Sequence, residues 1–125
     1  MSAQLEQDFQ NALVLAIYKQ LGIKMWRNAS GKIRTDKRTW VQCGPVGSSD
    51  LIGIVPKHGV MLCIECKGPR TRETPEQVRW RDYINAQGGI ALTCRWTKDE
   101  DLDTAVDEAV RIVRHAIVTR FARAA

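Results

Sequence analysis

No stretch of this sequence approaches the roughly 20 consecutive apolar residues that a membrane-spanning helix needs, so no membrane partner is expected. The opening MSAQLEQDFQ carries two acidic residues and no early basic region, which argues against an export signal and for a cytoplasmic setting. Internal repeats, low-complexity tracts and linkers are also missing. With 125 residues there is length for one domain but not two, and 1–125 reads as a single unit. Histidine is scarce: His58 falls in a turn and His115 on the last expected helix, and neither is placed to act as a catalytic base. Cysteine is limited to Cys43, Cys63, Cys66 and Cys94, which without a signal peptide read as reduced thiols. Cys63 and Cys66 form a C-x-x-C pattern, but they lie in VMLCIECK, which reads as a strand. Residues three apart on a strand point to opposite faces and cannot share one zinc ion.

What is present is a chain able to bury a core, with 44% hydrophobic and 26% charged residues. Nineteen Lys and Arg against fourteen Asp and Glu give a net charge of +5, a balance that favours polyanions and above all nucleic acid. A surplus of this size equally serves solubility, so charge needs a motif beside it.

Leu5, Phe9, Leu13, Ile17 and Leu21 recur every fourth position and predict an amphipathic first helix that stops at Gly22. From Lys24 to Gln42 the pattern breaks into a strand, a loop and a second short strand, with Lys24, Arg27, Lys32, Arg34, Lys37 and Arg38 set against Asp36 alone. DLIGIV and VMLCIECK are β-prone runs separated by Pro56, Lys57, His58 and Gly59, as in a hairpin with a four-residue loop. A helix over Thr74 to Ala86 follows, with Thr74 as N-cap, Pro75 in the favoured first position, Gln77 three residues after the cap and Gly88-Gly89 as its stop. IALTCRW makes another strand. A last helix runs from Asp99 to about Arg120 with Leu102, Val106, Ala109, Val113 and Ile117 on one face. This order predicts an α/β domain with a mixed central β-sheet flanked by helices.

Chemistry enters through the hairpin. If Val55 pairs with Val60, counting outward sets Asp50 opposite Glu65, two carboxylates on one face with Cβ atoms about 5 Å apart. Like charges so placed call for a cation between them, and hard ions such as Mg²⁺ or Mn²⁺ prefer oxygen ligands. The period of two puts Lys67 on the same face as Glu65, where an ammonium can orient or help deprotonate an attacking water and offset charge on phosphorus. An Asp followed by Glu-x-Lys is common on solvated strands. Here Leu51, Ile52, Ile54, Val55, Leu62 and Ile64 mark strands buried on both faces, at whose ends charges are costly unless paired or functional.

GSSDLIGIVP, IECKGP, TPEQVRW and GGIA together resemble the virus-type replication-repair nuclease (VRR-NUC) domain, a branch of the PD-(D/E)xK superfamily with a restriction-endonuclease-like fold. The resemblance runs from about Glu6 to Ala91 and is strongest between Gly47 and Gly89. It implies Mg²⁺- or Mn²⁺-dependent DNA hydrolysis in phage-type replication, recombination or repair. Asp50, Glu65 and the backbone carbonyl of Cys66 would hold the metal, joined by Glu6 from the first helix, while Lys67 would assist the water and Gln77 complete the site. Ser49 departs from the family, where proline often precedes the Asp; proline there shapes backbone rather than doing chemistry.

Gln77 also fits a purely capping role. Lys32, Arg34, Lys37, Arg38, Arg70, Arg72 and Arg79 are the candidate phosphate contacts, although basic faces are often merely solvated, and Arg81 flanks the same helix. The four tryptophans suit either stacking on unpaired bases or the core, the latter being commoner in a short chain. Ile112, Val118 and Phe121 extend the apolar surface of the last helix beyond one face, which must be buried in its own core or against a partner and is expected to serve a homodimer acting on branched DNA such as a four-way junction. A catalytically inert DNA-binding or assembly module is the rival expectation.

Overall fold

The structure is a computed structural model that describes residues 3–29, 31–97 and 101–122, without the side chains of residues 3, 4 and 31–33. The side chain of Lys32 and the expected helix start at Asp99 thus lie outside the described residues. Helix α1 spans Ala3–Leu21 and buries Phe9, Leu13 and Ile17 completely, as the four-residue spacing requires. It ends on Gly22, whose φ of 70° suits glycine and whose N–H reaches the Tyr18 carbonyl at 3.0 Å.

Strands β1 (Met25–Arg27), β4 (Leu51–Ile54), β5 (Met61–Lys67) and β6 (Ile90–Arg95) form one sheet in the order β1-β4-β5-β6. The pairs β1/β4 and β4/β5 are antiparallel and β5/β6 is parallel, so the sheet is mixed. Between β1 and β4 the basic stretch forms β2 (Gly31–Arg34) and β3 (Trp40–Cys43), which among the described residues pair only with each other. This adds a strand to the sequence expectation. The turn responsible contains no glycine: Arg38 takes φ 61°, and the Thr35 N–H donates to the Thr39 carbonyl at 2.8 Å.

Helix α2 (Pro75–Ala86) connects β5 to β6 across one face of the sheet, and α3 (Leu102–Phe121) packs beside α1 on the other. The larger core joins Phe9, Leu13 and Ile17 to Leu51, Leu62, Ile64, Val110 and Val113, with Phe9 edge-on to Trp96 at 4.9 Å between ring centres. A smaller cluster of Cys63, Ile84 and Ala91, flanked by Ile52 and Trp80, lies under α2. Because α2 covers β5 and β6, the same face of β4 is only partly shielded: Ile52 is half-buried and Ile54 is 54% exposed. The expectation that both hairpin strands are buried on both faces therefore holds for β5 and fails for β4.

Candidate active site

The register Leu51↔Ile64, Ile52↔Cys63, Gly53↔Leu62 and Ile54↔Met61 follows from the tight turn in which the Val55 N–H donates to the Val60 carbonyl at 2.9 Å. One step beyond Leu51 along this ladder brings Asp50 beside Glu65. Asp50 lies just before β4 and uses one carboxylate oxygen to accept the Cys66 backbone N–H at 2.8 Å. Glu65 and Lys67 leave the same face of β5 with side chains only 9% exposed, the Lys67 Nζ standing 3.7 Å from Glu65 Oε1. From α2, the Gln77 amide nitrogen donates to the same Oε1 at 3.2 Å.

Gln77 also completes a capping box. Its side-chain oxygen accepts the Thr74 N–H at 2.9 Å, and Thr74 Oγ1 accepts the Gln77 N–H at 3.1 Å. The two roles that the sequence sets against each other coexist, because one amide has an acceptor end and a donor end.

Burial is the main force on the Glu65 carboxyl, and together with the charge of Asp50 and a hydrogen bond between the two carboxyls it lifts the pKa from 4.5 to about 8. The Lys67 ammonium opposes that rise without cancelling it. A pair of carboxyls brought together at this depth, one buried and one part-buried, is a donor set suited to a hard divalent cation. Among the described residues no three His, Cys, Asp or Glu side chains converge as metal ligands, so a cation here would take most of its ligands from water and substrate oxygens. Glu6, exposed on the first turn of α1, adds to the negative field at the Cys66 thiol and does not join Asp50 and Glu65 in such a set.

The segment carrying Asp50 is tied down by residues whose anchoring contacts the sequence does not reveal. The Asn28 N–H donates to the Asp50 carbonyl at 2.7 Å, and its side-chain amide donates to Ser48 Oγ at 2.8 Å and to the Ser49 carbonyl at 3.0 Å. Ser49 Oγ accepts the Trp80 indole N–H at 3.1 Å. Gly47, at φ 85°, lies so close to α2 that a Cβ there would stand 2.4 Å from the Glu76 carbonyl carbon. These contacts fix the backbone ahead of Asp50 where proline does so in the family that the motif resembles. No signal in the sequence marks Asn28, which lies 22 positions before Asp50.

The remaining candidates spread outward. Arg34, Lys37, Arg38, Arg70 and Arg72 are exposed. Arg79 pairs with Glu76 at 3.4 Å, and Arg81 with Glu73, which also bonds Thr93 and has its carboxyl held below the ordinary range chiefly by the Thr93 hydroxyl. Cys63 lies under α2 and Cys66 in the opposite core, and burial pushes both thiols upward, Cys63 to about 11. Trp96 is buried and Trp80 half-buried, whereas Trp26 and Trp40 are exposed, against the expectation that most tryptophans serve the core. His58 stacks on Phe121 at 3.6 Å between ring centres, so Phe121 finds cover within its own chain, while Val118 is 59% exposed.

Fold and site together define an α/β domain with an opposed carboxylate pair and a lysine at the end of its central hairpin. Solved structures share this fold, among them the two that follow. One, named "VRR_NUC domain protein", has a TM-score of 0.56 at 17% identity, with 94% of this chain and 91% of that chain covered. Another, named "VRR_NUC domain", has a TM-score of 0.54 at 20% identity, covering 85% of this chain and 94% of the other. No family model matches the sequence, and no curated protein matches it significantly.

Proposed function

We propose that this chain is a metal-dependent DNA endonuclease of the PD-(D/E)xK type that hydrolyses phosphodiester bonds and selects branched DNA, working as a homodimer. The observation that carries the reading is the convergence of Asp50, Glu65, Lys67 and Gln77 at the end of the β4–β5 hairpin. Solved structures of the same fold are named for the VRR_NUC domain, which supports it.

Asp50, Glu65 and the Cys66 backbone carbonyl would hold Mg²⁺ or Mn²⁺, and the ion would lower the pKa of water and offset charge at the phosphate. Lys67 orients the attacking water and counters the negative charge that grows on the phosphate oxygens. The water oxygen bonds to phosphorus, the P–O3′ bond breaks, and the proton ends on the departing 3′ oxygen, leaving a 5′-phosphate. Gln77 keeps the Glu65 carboxylate aligned through this change. The exposed basic side chains of Arg34, Lys37, Arg38, Arg70 and Arg72, joined by Lys32 and Arg79, would contact phosphates along the duplex. Exposed Val118 and half-buried Ile112 on α3 are the candidate twofold contact.

Incubation with linear, flapped and four-way-junction DNA in Mg²⁺ or Mn²⁺ tests the reading. Wild type should cut, with preference for branched forms, and Asp50→Ala or Glu65→Ala should not. Binding without cutting in every metal would support an inert DNA-binding module instead. Light scattering should give about twice 14.1 kDa, and a mass of 14.1 kDa at micromolar concentration would remove the dimer.

A further inference from the structure

We infer that the β2–β3 ribbon is a DNA-gripping arm whose Trp40 stacks on an unpaired base at a branch point, making Trp40 the residue that selects branched over continuous DNA. The inference deepens the nuclease reading and rests on it for the substrate. The ribbon stands apart from the main sheet, its strands paired only with each other. Two-stranded ribbons without a covering layer are marginal by themselves, yet this one holds Trp40 63% exposed and Val41 47% exposed. Trp80 and Trp96, by contrast, lie against the body of the domain.

Charge identifies what the indole meets. Arg34 is directly opposite Trp40 in the ribbon register, and Lys37 and Arg38 occupy the tip, all exposed, with Asp36 the one acidic residue there. An aromatic face beside several cations matches a base beside its phosphates, since stacking tolerates any base and the cations meet the backbone. A second copy of the chain would bring an equally basic ribbon and be repelled. In continuous duplex DNA the bases are already stacked on one another, so the indole finds a partner only where bases are unpaired.

The arm is also anchored at the candidate site. Asn28 on the incoming side bonds Ser48, Ser49 and Asp50 on the outgoing side, closing the root of the arm next to the Asp50 carboxylate. Trp40 stands three residues beyond Cys43 on β3, about 10 Å further out at the rise of an extended strand. An arm fixed at its root and stacked at its far end would hold the branch at a set distance from the carboxylates.

The test uses the full chain with Ca²⁺ in place of Mg²⁺ and two fluorescent DNAs of equal length, a continuous duplex and one carrying a short unpaired flap. In anisotropy titrations Trp40→Ala should bind the flapped DNA about tenfold more weakly and the duplex less than twofold more weakly, with Trp40→Phe close to wild type. Initial cleavage rates in Mg²⁺ should show Trp40→Ala losing the preference for flapped DNA. Equal weakening on both DNAs, or none on either, overturns the inference, as does a fall in particle mass for Trp40→Ala, which would make the arm a contact between copies. Wild type that binds the flap through Trp40 but cuts nothing in Mg²⁺ or Mn²⁺ would sustain the arm and overturn the nuclease reading.

Discussion

Replacing Glu65 by glutamine removes a carboxyl that burial first, and the Asp50 charge second, make costly to ionise. The Glu65 pKa is raised from 4.5 to about 8, so between those values the folded chain holds a proton that the unfolded chain has released. Stability from this group is complete below pH 4.5 and declines as pH rises towards 8. At about 1.4 kcal/mol per pKa unit the full shift sets an upper bound of about 5 kcal/mol, and coupling to Asp50 reduces the expected difference to about 2–4 kcal/mol. Glutamine is uncharged throughout and keeps an oxygen to accept from Gln77. Urea denaturation in EDTA, followed by circular dichroism, should therefore find wild type and Glu65→Gln similar at pH 5 and the variant more stable by that amount at pH 9. If the wild-type curve falls no more steeply than the variant's, burial and Asp50 together do not hold the Glu65 carboxyl protonated. Added Mg²⁺ at pH 9 should stabilise wild type by about 1.4 kcal/mol at ten times its Kd, recovering part of the difference, and leave the variant almost unchanged.

Lys67→Ala should lower single-turnover cleavage by about 100-fold or more while changing the Kd for DNA in Ca²⁺ by less than about threefold, because its proposed role is in the transition state; equal losses would make it a plain phosphate contact. Gly47→Ala should lower stability by about 2 kcal/mol or more in thermal melts, through both the positive φ and the overlap with α2. Asn28→Ala should weaken Mn²⁺ binding measured by calorimetry and leave the melting temperature within a few degrees; unchanged binding would show that Asp50 needs no such anchor.

The helices, the β4–β5 register and the Thr74–Gln77 capping box were legible in the sequence because each rests on local spacing. A turn of fixed length sets which residues face each other, and that alone brings Asp50 to Glu65. The β2–β3 ribbon was not legible as a separate sheet, because its turn relies on Arg38 in a conformation that its residue type does not advertise. Asn28 was invisible for a different reason. Its three contacts with Ser48, Ser49 and Asp50 exist only once the intervening ribbon folds back on itself. The exposure of Ile54 likewise depends on where α2 lies, which strand periodicity does not encode.

One side chain at position 77 belongs to two cooperative units, since its oxygen closes the first turn of α2 while its nitrogen holds Glu65. Fraying of that turn and release of the carboxylate are then a single event, visible as shared hydrogen-exchange protection of the Thr74 and Gln77 amides. Position 77 accepts few alternatives on these grounds. Glutamate would keep the cap and set a third negative charge against the pair, lysine would keep a donor and abandon the cap, and asparagine is one methylene too short for both. The helix start and the carboxylate pair must drift together or not at all.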